Sequence, residues 1–167
     1  MGFMKIIKGD LIKLAEQGEF DMIIQGCNCF HTMGGGLARQ LATKYPQVLE
    51  ADKKTKYGDQ EKLGYFSVAY VKVNNHTFSV INLYTQYKWS SGSDVFEYDD
   101  FQLYLKKIAY FMTGFPTSLF TPKFRIGFPM IGAGLAGGDW SRISKMIEKF
   151  SEDVASHADV TVVEYQP

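Results

Sequence analysis

The sequence predicts an α/β domain, a three-layer α/β/α sandwich around a mixed, mostly parallel central sheet. Three observations carry this. Short apolar runs alternate with helical periodicities along the 167 residues, the pattern of parallel strands joined by crossover helices. One pair of β-rich runs, 64–73 and 77–86, is separated only by "NNH", a hairpin signal that adds antiparallel pairing. No repeat, low-complexity tract or linker divides the chain, so a single domain over residues 1–167 is expected.

The elements follow in order. "MKIIK" (4–8) is a short strand, and Asp10 is placed to cap the short helix that Gly18 ends. "DMIIQGC" (21–27) is a compact apolar strand suited to burial on both faces. From Gly35 to Tyr45 the apolar positions Leu37, Ala38, Leu41 and Ala42 recur at helical spacing. Pro46 breaks that helix and a second runs to about Thr55. After the hairpin, "SSGSD" (90–94) is a loop and 98–112 is a helix. "FRIGFP" (124–129) is a buried strand, 139–154 a helix, and "VTVVEY" (160–165) a last strand.

Lys plus Arg and Asp plus Glu both number 18, so the formal charge is zero, which argues against nucleic-acid or membrane-surface binding driven by net positive charge. No apolar stretch approaches the ~20 residues of a membrane span, and the N-terminus lacks a signal-peptide pattern. A cytoplasmic monomer is the expectation. The two cysteines, Cys27 and Cys29, are badly placed for a mutual disulfide. The three histidines, His31, His76 and His157, are too scattered for a zinc site, so neither metal nor cofactor is expected.

Two glycine-rich stretches stand in matching places: Gly34–Gly36 after the second strand, and "IGAGLAGG" (131–138) after the fifth, each directly before a helix. Ligands of open α/β sheets bind at the carboxyl ends of strands, where helix N-termini present free N–H groups. Glycine lets the backbone approach an anion closely. Two such loops can clamp a diphosphate from opposite sides. Neither is a Walker motif, and neither fits G-x-G-x-x-G in the first βα turn. Asn28, at a strand end, carries an amide that both donates and accepts, which suits a ribose diol or an ordered water. Asp10 can accept from an exocyclic amine as well as cap its helix. Tyr84, Thr85 and Gln86 end a strand on the pocket side and are candidates for ribose or phosphate contact.

Taken together, "KGDL", "CNCFHTMGGGLARQL" and "FPMIGAGLAGGDW" resemble a macrodomain, the ADP-ribose-binding module, over essentially the whole chain. The resemblance implies that Asp10 bonds the adenine amine, with Leu11 contributing backbone nearby, and that Asn28 binds the distal ribose. It implies that Gly34, Gly35 and Gly36 form the first diphosphate loop, with Leu37 and Ala38 starting its helix. Ile131, Gly132, Ala133, Gly134, Leu135, Ala136 and Gly137 form the second, and Tyr165 lies near the adenine. The branch it most resembles holds ADP-ribose 1″-phosphate phosphatases and terminal ADP-ribose glycohydrolases.

That branch implies hydrolysis of ADP-ribose 1″-phosphate to ADP-ribose and phosphate. The alternatives are a non-catalytic ADP-ribose reader, or a hydrolase releasing ADP-ribose from a protein or nucleic-acid acceptor. Some phosphatase-type relatives carry a histidine where this chain has Gln25. The lysine and aspartate of the glycohydrolase type fall on Gln86 and Ala136, with Lys88 and Asp139 close by. The catalytic candidates are therefore Asn28, with His31 for proton transfer and Asp139 to orient a water. His31 reads equally as an exposed loop histidine, Asp139 as an N-cap and Trp140 as a core anchor.

Overall fold

The computed structural model describes residues 4–89 and 93–167. The elements are β1 (Met4–Gly9), α1 (Leu11–Glu16), β2 (Met22–Cys27), α2 (Gly36–Lys44), α3 (Pro46–Lys53), β3 (Phe66–Val73), β4 (His76–Tyr84), α4 (Tyr98–Thr113), β5 (Phe124–Pro129), α5 (Trp140–Asp153) and β6 (Ala158–Tyr165). A short 3-10 turn lies at Gln60–Lys62. The order is the expected one. The hairpin turn is tighter than "NNH": His76 pairs with Val73 as the first residue of β4, leaving Asn74 and Asn75 to turn the chain. Asn74 has φ 55, a left-handed conformation that asparagine tolerates. Of the 90–94 loop, residues 90–92 lie outside the described residues.

The sheet runs β1-β6-β5-β2-β4-β3, parallel except for the β3–β4 hairpin. Helices α1, α2 and α3 cover one face over a core that includes Ile23, Phe78, Val80 and Tyr84. On the other face α4 and α5 cover Ile24, Ile81, Phe128 and Val162. Adjacent residues 23 and 24 thus serve opposite layers, as the period of a strand buried on both faces requires. Helix α5 buries Ile143, Ile147 and Phe150 at i, i+4 and i+7, each contributing about 1.5–3 kcal/mol by leaving water.

One irregularity places the site. Strand β2 pairs with β4 over six residues, Met22↔Ser79 to Cys27↔Tyr84, but with β5 only at Met22↔Ile126 and Ile23↔Gly127. Beyond that point β2 and β5 diverge and open a crevice between their carboxyl ends. The base of the fork is clasped by Asp21 and Arg125. Arg125 Nε and backbone N–H donate to Asp21 Oδ2 at 3.1 and 2.9 Å, Nη2 donates to Oδ1 at 2.9 Å, and Nη1 reaches Gly18 O at 2.5 Å. Among the described residues no helix is long and apolar enough to cross a membrane.

Candidate ligand-binding cleft

Three connected hollows run along the carboxyl edge of the sheet. The first, about 380 Å³, lies over the ends of β1 and β6 and is lined by Asp10, Leu11, Gly36, Leu37, Gln40, Pro129, Val163 and Tyr165. The middle one, about 270 Å³, lies over the β2–β5 fork between Gly35–Ala38 and Met130–Ala136. The far one, about 470 Å³, is lined by Asn28, Thr32, Met33, Gly34, Gln86 and Trp89 among others. Gly36, Leu37 and Pro129 belong to both the first and the middle hollow. Gly26, Gly35, Ala38, Gln86 and Leu135 belong to both the middle and the far one. The three form one cleft.

Two glycine loops wall its centre. Gly35 is the N-cap of α2, and no side chain caps that helix, whereas Asp10 caps α1 and Asp139 caps α5. The first N–H groups of α2 lack intrahelical partners and carry the positive end of the helix dipole. The second loop closes on itself through Gly138 N–H to Gly132 O at 2.7 Å and Gly137 N–H to Gly134 O at 3.0 Å. Gly132 adopts φ 76, and a Cβ there would stand 2.5 Å from the Phe96 ring. At the loop tip Leu135, 74% exposed, reaches across: a Cβ on Gly35 would lie 2.9 Å from its Cδ1.

At the near end Asp10 caps α1 through one oxygen. Oδ1 accepts from Ile12 and Lys13 N–H at 3.0 and 3.1 Å, so Oδ2 takes no bond from a described residue. Capping and ligand acceptance are therefore compatible. Tyr165, 63% exposed, lines the same hollow.

At the far end Asn28 is buried and already organised. Its Oδ1 accepts from Phe30 N–H at 2.8 Å, and Nδ2 donates to Thr32 Oγ1 at 2.6 Å and Thr32 O at 3.3 Å. The amide thus shapes the 28–32 turn as well as lining the cleft. Gln86, also lining it, donates from Nε2 to Lys88 O at 2.9 Å. Buried Gln25 donates to Asn82 Oδ1 at 2.9 Å, and its own Oε1 has no partner among the described residues.

Other candidates stand elsewhere. His31 is left-handed at φ 57; its Nε2 meets Thr55 Oγ1 at 3.2 Å and its ring packs edge-on to Tyr57, and it is not among the lining residues. Asp139 accepts from Arg142 N–H at 3.4 Å and borders a separate groove on α4 and α5 with Arg142 and Lys145. Lys88 is exposed outside the cleft, and Trp140 packs against the α4–α5 core. Tyr84 turns under the sheet, where its hydroxyl donates to Asp52 Oδ1 at 2.7 Å; strand alternation aims it at α3. Thr85 is buried beside Gly26, and Ala133 and Gly137 shape the second loop without lining the cleft. Trp89, Thr32, Met33 and Gln40 line it without a sequence signal beyond their nearness to the loops.

The cleft is electrostatically sparse. Among the described lining residues Asp10 is the one charged side chain. Burial pushes the Cys27 thiol well above its ordinary range, with the Asp52 charge adding to the effect, and burial lifts Cys29 to about 11. Neither cysteine is a thiolate at neutral pH. An anion here would be held by backbone N–H groups rather than by lysine or arginine.

No protein-family model matches the chain. An uncharacterized 17.5 kDa protein of the tk-vs intergenic region of Enterobacteria phage T4 is 36% identical over 165 residues, 98% of this chain and 97% of that protein. Among solved structures, a protein of unknown function from Bacteroides thetaiotaomicron is 26% identical with a TM-score of 0.69, over 96% of this chain and 97% of that one. The macrodomain of Thermus aquaticus DarG is 18% identical with a TM-score of 0.69, and the match covers 100% of both chains. Thermosipho africanus DarTG in complex with ADP-ribose is 17% identical with a TM-score of 0.70, over 99% of this chain and 42% of that one. The chain belongs to one sequence family with the phage protein, and its fold is that of the solved macrodomains.

Proposed function

We propose that the cleft binds ADP-ribose, with adenosine between Asp10 and Tyr165, the diphosphate between the two glycine loops, and the distal ribose against Asn28. The observation that carries this reading is the uncapped start of α2, which faces a second glycine loop across one continuous hollow. Uncapped N–H groups at a helix start are suited to phosphate. The likeness to DarTG in complex with ADP-ribose supports the same ligand.

Hydrolysis of ADP-ribose 1″-phosphate, or of a bond to an acceptor, calls for a group that activates water or carries a proton. His31 and Asp139 stand outside the cleft, and its described lining holds no histidine or lysine, and no carboxylate beyond Asp10 at the adenosine end. This arrangement supports binding ahead of catalysis. Phosphorus NMR of ADP-ribose 1″-phosphate with protein tests it. The expected spectrum has perturbed diphosphate resonances and no inorganic phosphate beyond a protein-free control. Growth of phosphate at catalytic protein concentration would establish the phosphatase instead.

A further inference from the structure

We infer that the far hollow is a second base site, so that the cleft takes a dinucleotide, two nucleosides joined through a diphosphate, in preference to a ligand ending in a bare ribose. The inference rests on the ADP-ribose reading of the cleft and narrows its ligand class.

Size gives the first argument. The near hollow, assigned a purine together with its ribose, holds about 380 Å³. The far hollow holds about 470 Å³. A lone ribose is the smaller part of a nucleoside, so it leaves most of the larger compartment unfilled. A ribose carrying a flat ring matches the two ends in size.

The lining gives the second. Asn28, Thr32 and Gln86 supply the amides and hydroxyl that a ribose diol needs. Past them stands Trp89, 57% exposed, together with Met33 and Leu135. Trp89 is backed edge-on by Phe30 at 5.8 Å, and Phe30 is itself wedged against Tyr87 at 4.9 Å and Tyr57 at 5.3 Å. The Phe30 N–H bonds Asn28 Oδ1, so the aromatic wall is built in register with the amide proposed to hold the ribose. No charged side chain is among the described residues lining this hollow. A neutral or delocalised cationic ring gains there from stacking on an indole.

Nicotinamide adenine dinucleotide is the probe. The chain has two tryptophans, so Trp140→Phe leaves Trp89 as the sole indole reporter. We expect the dinucleotide to quench that fluorescence and to bind at least fivefold more tightly than ADP-ribose by calorimetry. Trp89→Ala should abolish the advantage of the dinucleotide over ADP-ribose. ADP-ribose binding as tightly as the dinucleotide, or a dinucleotide affinity indifferent to Trp89→Ala, would overturn the second base site alone. Failure of both ligands to bind would overturn the ADP-ribose reading together with it.

Discussion

The Lys62 ammonium donates to the Cys29 carbonyl at 3.1 Å, beneath the turn that carries Asn28. It also donates to Thr55 Oγ1 at 2.9 Å and lies 4.6 Å over the Tyr84 ring. Tyr84, kept protonated chiefly by burial, passes its own hydrogen bond to the buried Asp52 carboxylate at 2.7 Å. Gly58 N–H and Tyr87 O bond the same residue, Cys29, at 2.7 and 2.9 Å. The far end of the cleft therefore rests on a buried polar network, and His31 is tied to that network through Thr55.

Removing the ammonium leaves the Cys29 carbonyl and the Thr55 hydroxyl without the donor that Lys62 supplies. Lys62→Met is expected to cost roughly 1–3 kcal/mol in denaturant unfolding. In the fraction that folds, ADP-ribose affinity should fall more than AMP affinity, because AMP does not reach the 28–32 turn. Calorimetry with both ligands checks this, and an equal loss for both would contradict it.

Asp10 uses Oδ1 to cap α1, and an asparagine keeps that acceptor. Asp10→Asn replaces Oδ2 by a donor, which cannot accept from the adenine amine. Stability should change by less than about 0.5 kcal/mol, while ADP-ribose affinity falls by roughly 1–3 kcal/mol. Thermal unfolding and calorimetry separate the two effects.

The two glycine loops answer differently to an added methyl. At Gly35 the new Cβ meets only the mobile end of an exposed leucine, so Gly35→Ala should push Leu135 aside, lower ligand affinity about tenfold and leave unfolding nearly unchanged. At Gly132 a Cβ meets the Phe96 ring with φ already left-handed. Gly132→Ala should therefore cost at least about 2 kcal/mol of stability. Denaturation midpoints of the two variants test the contrast.

Acid weakens the clasp at the base of the fork. Burial alone would raise the Asp21 carboxyl, but the Arg125 side-chain and backbone hydrogen bonds outweigh it and hold it below the usual value of 3.8. A carboxylate depressed in the folded state contributes stability above its unfolded value, and that contribution is lost as pH falls through the folded one. Since both partners are partly exposed, Asp21→Asn should cost on the order of 1 kcal/mol at neutral pH. The gap from the parent should narrow below pH 4, as urea titrations at several pH values would show.

The order of strands and helices was legible because each carries its own signal: the apolar run 22–27, the proline that ends α2 at Tyr45, the Asp139 cap of α5. The glycine loops were legible for the same local reason. Which neighbouring side chains share their hollow was not. Tyr84 is the last residue of β4 and turns under the sheet toward Asp52, whereas Gln86, two residues past the end of that strand, lines the cleft. His31 lies three residues before the glycines, but its left-handed backbone and Thr55 carry it away. Trp89 has no motif around it, and only the folded Phe30 cluster shows its place. Lys62 reads as a surface lysine until the Cys29 carbonyl and the Tyr84 ring are seen above and below it.

The central claim is that the cleft between the two glycine loops holds ADP-ribose, and an amide-resolved NMR titration tests it most directly. Saturable shifts are predicted at Gly34–Gly36 and Gly132–Leu135, at Leu11 and Tyr165 on the near side, and at Asn28 and Thr32 on the far side. An unperturbed spectrum, or shifts confined to the Asp139–Arg142 groove on α4 and α5, would contradict it.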